Sequence, residues 1–334
     1  MNRSYFRVDL GLLIPALVLV ILGISGIFSL SFDLFKLQIF FFVASVIVFL
    51  FFSQINFQNI KNYSLPIYIV SLVLLTVILF VGIESRGSVR WLNFFGRGIQ
   101  FSEILKPFLA VALASFLAGR ENYSIRSFFI ILLLLLPIFV LIFLQPDLGN
   151  ALIYLITALL VLFSFGFPLR YFLTLIFLSV LSAPVLWQFL RNYQRQRIMT
   201  FLQLETDPLG TSYNAIQSVI AVGSGMFFGK GFGQGTQSIL RFLPERHTDF
   251  IFATLSEELG MVGSILIIIT FFFLLYRILI ISRKTKDAFA KIFSMSVFFL
   301  ISVQFFVNAG MNVGIVPIVG VSLPFVSYGG SSLL

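Results

Sequence analysis

The sequence predicts an all-α polytopic membrane protein of about ten transmembrane helices, with both termini inside and one long outer loop between helices 7 and 8. Two observations carry this. Of 334 residues, 59% are hydrophobic and only 10% are charged, a composition far from that of a soluble domain. Runs such as 10–31, 64–83 and 127–144 each hold the ~20 apolar residues that cross a bilayer's hydrocarbon core as a helix. Their apolarity is uninterrupted, which excludes the alternating pattern of membrane barrel strands.

Taken in order, the spans fall near 10–31, 37–52, 64–83, 103–119, 127–144, 148–166, 170–189, 250–276, 292–311 and 317–334. The basic start MNRSYFRVD precedes an apolar run too long for a signal-peptide core and without a small-residue cleavage site, so it reads as a retained first helix. With the N-terminus inside, inner ends and loops hold eleven cations (Arg3, Arg7, Lys61, Arg120, Arg126, Arg170, Arg277, Arg283, Lys284, Lys286, Lys291), and short outer loops hold four (Lys36, Arg86, Arg90, Arg97). That asymmetry satisfies the positive-inside rule. Segment 190–249 then lies outside, as a large extracytoplasmic loop within a single membrane domain covering 1–334. Its six cations (Arg191, Arg195, Arg197, Lys230, Arg241, Arg246) do not oppose this topology, because long loops translocate regardless of charge. Gathered beside carboxylates, they point to an anionic partner outside.

Composition also removes chemistries. Without cysteine there is no disulfide, thiolate or iron–sulfur chemistry, and His247 as the single histidine rules out a multi-histidine metal site. A reaction site not buried among helices belongs in the one long polar stretch, 190–249. There Tyr213, Ile216, Val219 and Ile220 recur at helical spacing, with Asn214, Gln217 and Ser218 elsewhere on the wheel. This is a short amphipathic helix at the membrane surface, either a wall for a lipid-linked substrate or a loop resting on the bilayer. Next, GSGMFFGKGFGQG (223–235) offers six glycines and Lys230. It matches neither a nucleotide P-loop nor GxGxxG, and stands as either a backbone cradle with Lys230 over a pyrophosphate or a tight turn.

In PERHTD (244–249), Asp249 sits where loop meets helix, so that its carboxylate can reach outer water while a membrane helix holds its backbone. Thr248 or Asp249 could serve only as the helix N-cap. Arg246 and His247 favour an ionised carboxylate, which a general base must be. Glu257 and Glu258 follow inside the expected helix, Glu257 near the face of Asp249 and about two turns deeper; ionisable groups at such depth are functional or paired. Elsewhere Glu103 and Lys106, three apart, can pair on one helix face, either as a lock between helices or as a group turned toward substrate. Asp147 in QPDLG reads as a turn and helix cap. The last segment is broken by Pro324, Gly329 and Gly330 in LPFVSYGGSS; it is read as re-entrant, or as lacking its natural end.

These motifs, in this order, resemble the SEDS family (shape, elongation, division and sporulation), the RodA and FtsW proteins. The likeness runs over nearly the whole chain: RWLNFFGRGIQFSEILK at 90–106, QPDLG at 145–149, YNAIQSVIAVGSGMFFGKGFGQGTQS at 213–238, FLPERHTDFIFA at 242–253, EELG at 257–260 and NAGMNVGIVPIVGVSLPFVSYGGSS at 308–332. The Arg246 form of PERHTDF and PIVGVSLPF look more like RodA than FtsW. Two departures stand out: Phe101 where the family usually has proline before Ser102 and Glu103, and Leu202, Gln203 and Leu204 where it usually has Leu-Asn-Pro.

The resemblance implies a peptidoglycan glycosyltransferase that polymerises lipid II at the outer face of the bacterial cytoplasmic membrane, with inversion and release of undecaprenyl pyrophosphate, in service of cell shape. It implies Asp249 as catalytic base. Glu103, Lys106, Lys230, Arg246, His247 and Thr248 become candidate substrate-binding residues, and Arg90, Trp91, Asp147, Gln217, Glu245, Glu257, Ser327 and Tyr328 further motif positions. The departing pyrophosphate needs positive charge, from these cations or from a divalent cation such as Mg or Mn. Expected partners are lipid II, a class B penicillin-binding protein (a transpeptidase) and other membrane proteins of the elongation machinery, with no nucleic acid. The rival reading is a lipid II flippase, which should carry ionisable groups near the midplane in broken helices repeated between two halves; no second copy of any motif is evident. A scaffold that only recruits the transpeptidase would leave Asp249 replaceable.

Overall fold

The computed structural model describes residues 8–85, 88–94, 97–120, 123–190, 192–202 and 212–333; for 83–85, 88–90, 93, 94, 97, 99 and 193 it describes the backbone alone. Arg3, Arg7, Arg86, Arg191, Gln203 and Leu204 lie outside the described residues, as do the side chains of Arg90 and Arg97. The helices are α1 (Leu10–Leu30), α2 (Phe32–Gln54), α3 (Phe57–Asn62), α4 (Ser64–Val81), α5 (Phe101–Ile104), α6 (Lys106–Leu117), α7 (Ile125–Leu144), α8 (Leu148–Ser164), α9 (Leu169–Phe189), α10 (Asn192–Leu202), α11 (Tyr213–Ser224), α12 (Thr236–Ile239), α13 (Ile251–Lys284), α14 (Ala288–Asn312) and α15 (Gly330–Leu333). Among the described residues, seven of them (α1, α2, α4, α7, α9, α13, α14) are long and apolar enough to cross a membrane, and α6 and α8 are shorter apolar helices. The polytopic helical architecture is the one the sequence predicts.

Three local features differ from expectation. Residues 83–100, read as loop, form a small antiparallel sheet in the order β1 (Ile83–Ser85), β2 (Ser88–Phe94), β3 (Arg97–Gln100), with Trp91 opposite Gln100 and Leu92 opposite Ile99. Valine, tryptophan, leucine and phenylalanine in SVRWLNF give that stretch its strand character. The tenth expected span, 317–334, is not a continuous helix: 317–329 is irregular and only α15 follows. Backbone at Gly320, Phe325 and Gly329 takes positive φ, and Pro324 removes a donor. Finally, the expected continuous helix at 250–276 is broken at Gly260, where φ is 67° and ψ −160°.

The chain forms two compact units, each built from separated segments. The first comprises the described parts of Met1–Asn59, Leu204–Ile281 and Gln304–Leu334; the second those of Ile60–Gln203 and Ser282–Val303. In the first, α1 starts at Asp9, whose side chain caps the Gly11 amide and pairs with Arg277 of α13 (Nη2 to Oδ2, 2.9 Å). Near its other end, Ser29 Oγ lies 2.6 Å from Glu258 Oε1. In the second, aromatic and aliphatic side chains pack around Phe128, Ile131 and Ile142. Polar side chains cross between its helices: Tyr68 donates to the Leu134 carbonyl and Gln145 to that of Leu75. Such bonds satisfy carbonyls that lipid cannot.

Candidate active site

The PERHTD segment is a series of turns ahead of α13, and Glu245 to Asp249 are all half-buried. What fixes it is its backbone, carbonyl by carbonyl. Glu245 O accepts from the amides of Thr248 and Phe250, and Arg246 O from Thr254 Oγ1 (3.0 Å). His247 O accepts from the Tyr328 amide (2.8 Å) and Thr248 O from Ser327 Oγ (2.7 Å). Asp249 O accepts from two side-chain amides, Asn308 Nδ2 and Asn312 Nδ2, each at 3.0 Å. Every carbonyl of Glu245–Asp249 is therefore held by protein donors. The reward of this arrangement is preorganisation: the side chains of a turn are placed by a backbone that has no freedom left.

The donors come from elements that sequence reading did not connect to the site. Asn308 and Asn312 are one helical turn apart on α14, buried, and also tie down Val321 O and the Ala253 amide (through Asn312 Oδ1, 3.0 Å). The irregular 317–329 stretch supplies Ser327 and Tyr328 because it is not helical: Ser327 Oγ accepts from the Leu323 amide while donating to Thr248 O. Gln38 of α2 holds that stretch from behind, donating to Ser327 O and accepting from the Gly329 amide. Two asparagines at i and i+4 in an apolar helix are the signal that could have exposed this support. Beneath it, Leu243, Phe250, Ala253 and Ala221 form a buried cluster. The His247 ring stands edge-on to Tyr328, centroids 5.4 Å apart. Burial, and then the neighbouring Arg241, hold the Arg246 guanidinium below the ordinary arginine value, yet an arginine so shifted remains a cation at neutral pH.

The glycine-rich loop is committed to α13. Where Gly260 breaks that helix, the freed carbonyls of Glu257 and Glu258 accept from the amides of Lys230 (3.0 Å) and Gly231 (3.1 Å). The freed amides of Met261 and Val262 donate to the carbonyls of Met226 and Phe227. A β-carbon at Gly229 (φ 82°) would come within 2.1 Å of Glu258 O, and one at Gly260 within 2.2 Å of the Gly229 amide; only glycine lets the two backbones meet and take these dihedrals. Lys230 Nζ bonds Glu257 Oε1 at 2.9 Å and Thr236 Oγ1 at 2.6 Å. Glu257, fully buried, accepts in addition from the amides of Gln237 and Ser238 and from Ser238 Oγ. The amides of Lys230 and Gly231 are thus spoken for, so the loop does not present them as a phosphate cradle. Glu257 is an anchor for the loop and α12.

On α11, the buried side is Ala215, Ser218 and Ala221, while Val219 and Ile220 are exposed. The helix expected here is present, with its small residues turned to the protein. Ser218 Oγ donates to Asn312 O (2.9 Å), and the buried Gln217 Oε1 has no hydrogen-bond partner.

The second unit holds its own polar cluster. Glu103 and Lys106 pair at 2.6 Å with side chains only 7% and 3% exposed. Asp147 caps α8 through the Asn150 amide, and its Oδ2 accepts from Gln100, Ser102 Oγ and Asn150 Nδ2. Tyr154 donates to Ser102 O. The strand β3 matters here because it ends at Gln100 and delivers that amide to Asp147. Trp91 packs over Gly98; Arg90 is placed in β2, its side chain outside the described residues. Among the described residues no group of three or more His, Asp and Glu gathers to hold a metal.

The fold and this site define a class: a polytopic membrane protein with a half-buried carboxylate on a rigid turn at the start of a broken helix. The chain belongs to the FtsW, RodA and SpoVE family, described as cell cycle proteins, whose pattern matches residues 5–334. It is 41% identical over 285 residues to peptidoglycan glycosyltransferase MrdB of Escherichia coli (strain K12), covering 84% of this chain and 77% of that one. To stage V sporulation protein E of Bacillus subtilis (strain 168) it is 35% identical over 348 residues, 97% and 93% of the two chains. Among solved structures it resembles a chain of a peptidoglycan synthase complex (TM-score 0.84, 30% identity, 99% of this chain and 94% of that). It also resembles the rod shape determining protein RodA of Thermus thermophilus (TM-score 0.74, 26% identity, 98% and 93%).

Proposed function

We propose that this protein is a peptidoglycan glycosyltransferase of the RodA type, which polymerises lipid II into glycan strands at the outer face of the bacterial cytoplasmic membrane. The observation that carries the reading is the rigid turn bearing Asp249, in a chain that shares 41% identity with a protein named for that activity. In this reading the acceptor sugar hydroxyl attacks the anomeric carbon of the donor. Asp249 takes the hydroxyl proton, the new glycosidic bond forms with inversion, and the bond to undecaprenyl pyrophosphate breaks. Arg246, beside Asp249 and half-buried, meets the charge of the departing pyrophosphate, where lowered dielectric strengthens the attraction. His247 and Thr248 line the same turn. Lys230 acts through Glu257, holding the loop that leads into the turn.

The neighbour in a peptidoglycan synthase complex supports a protein partner, and the reading assigns a class B penicillin-binding protein that crosslinks the new strand, alongside other elongation proteins. The test is polymerisation of labelled lipid II by the purified protein with that partner, beside Asp249→Asn. Glycan ladders that vanish in the variant establish the polymerase and its base. No ladders from either, with the partner present, would move the assignment to lipid translocation, read by a reconstituted flipping assay.

A further inference from the structure

The first unit carries its own depth gauge. Antiparallel α1 and α13 are tied at one end by Asp9 and Arg277 and at the other by Ser29 and Glu258. Ser29 is twenty residues beyond Asp9, which at ~1.5 Å per helical residue is roughly 30 Å, the thickness of a hydrocarbon core. Glu258 therefore marks the far boundary of the apolar layer. The glycine loop is pinned at that level by its four backbone hydrogen bonds to Glu257, Glu258, Met261 and Val262.

On this pinned loop Met226 is 82% exposed, Phe227 52%, Phe228 80% and Phe232 47%. Phe232 stacks on Phe28 of α1, centroids 6.1 Å apart and rings 21° from parallel, and Phe28 belongs to the last turn of a membrane-spanning helix. Met261 and Val262, the first residues after the break, are exposed too and continue the apolar surface down α13. The loop's one charged residue, Lys230, turns its ammonium back to Glu257, so no charge interrupts the patch. Locked backbone means these side chains cannot retract.

We propose that Met226, Phe227, Phe228 and Phe232 form a lip inserted among the lipid chains of the outer leaflet, so that part of the long outer loop is a membrane-embedded element. Apolar side chains presented from an interfacial segment partition into the headgroup–acyl boundary, and continuity with Phe28 and Met261 places this lip at that boundary and not in the aqueous phase. One consequence rests on the proposed function: the lip holds the following segment, through Leu243 to Asp249, at the depth where a lipid-linked pyrophosphate leaves the membrane. The depth itself does not depend on that function.

The chain has no native cysteine, so single cysteines at Met226 and Phe228 can carry a nitroxide without background. The labelled proteins are placed in vesicles of phosphatidylethanolamine and phosphatidylglycerol, and collision rates with oxygen, which enters lipid, are compared with those of a water-soluble nickel chelate. Ile265, exposed on α13 within the span, gives the lipid reference, and Lys284, the exposed basic residue that ends α13, the aqueous one. The expected result is an oxygen-to-nickel ratio at both positions several-fold above that at Lys284 and toward that at Ile265. A ratio at either position equal to that at Lys284 overturns the proposal and gives the patch to water or to a protein partner. This outcome is distinguishable from failure of the enzyme reading, which the polymerisation assay decides alone.

Discussion

Asp147 in the second unit and Asp249 in the first are both held tightly, but by opposite ends. Asp147 is held by its carboxylate, which caps α8 and accepts from Gln100, Ser102 and Asn150. Asp249 is held by its carbonyl, which accepts from Asn308 and Asn312. A buried carboxylate whose oxygens accept from several donors has its lone pairs committed to holding the fold. A residue fixed through its backbone is positioned independently of what its side chain does. Glu257 sides with Asp147, since its two oxygens receive Lys230, Thr236, Gln237 and Ser238. Asp147 and Glu257 build the fold with their carboxylates, whereas Asp249, fixed by its carbonyl, is the acid that the proposed mechanism uses as the reacting base.

The largest effect should come from breaking the building side. Lys106→Ala removes the buried ammonium from the Glu103 carboxylate and should lower stability by about 3–5 kcal/mol, read as a drop in Tm with activity falling alongside. An unchanged Tm with lost activity would instead put Lys106 at substrate. Next, Asp249→Asn should reduce polymerisation by about a hundredfold or more in a protein that still folds, because the substitution leaves the carbonyl and its asparagine donors intact. Full activity in that variant would remove Asp249 from the reacting side of the comparison.

Asn312→Ala tests whether holding the backbone is what matters. It leaves the Ala253 amide without its acceptor and takes one of two donors from Asp249 O, which should cost about 1–3 kcal/mol per stranded group. Activity should fall with it, and restoration by Gln at that position is not expected, since the longer side chain cannot place both groups. A stable and fully active Asn312→Ala would show that the turn does not need α14. The smallest effect belongs to the Asp9–Arg277 tie. The hydrogen bond from Arg277 holds the Asp9 carboxyl below its ordinary value. A depressed folded pKa stabilises above the unfolded value and is lost as pH falls through the folded one. The Tm difference between wild type and Asp9→Asn should therefore be present above about pH 4 and close in more acidic buffer.

Much of this was legible beforehand, and the reason differs by element. Membrane helices declare themselves because each needs ~20 apolar residues and satisfies its own backbone, and the motif order from RWLNFFGRGIQFSEILK to SYGGSS placed the chain in its family before any geometry. The turn PERHTD stood out because charge beside an apolar helix is rare. By contrast, the break at Gly260 was hidden: a single glycine in an apolar run does not announce a kink until its partner glycine loop is found more than twenty residues upstream. The strand character of 83–100 was masked by its shortness.

The sequence by itself determined the solvent, the helices, the one unusual acid-and-base turn and the family, all properties of composition or of neighbours along the chain. Only the tertiary structure decided which acids are spent. Lys230 could have faced a phosphate and instead bonds Glu257; Ser327 and Tyr328 could have sat in a spanning helix and instead hold the carbonyls of Thr248 and His247. The physical reason is that in a membrane protein every backbone polar group away from water must find a protein partner. Which side chains supply those partners, and which are left for chemistry, depends on residues distant in sequence.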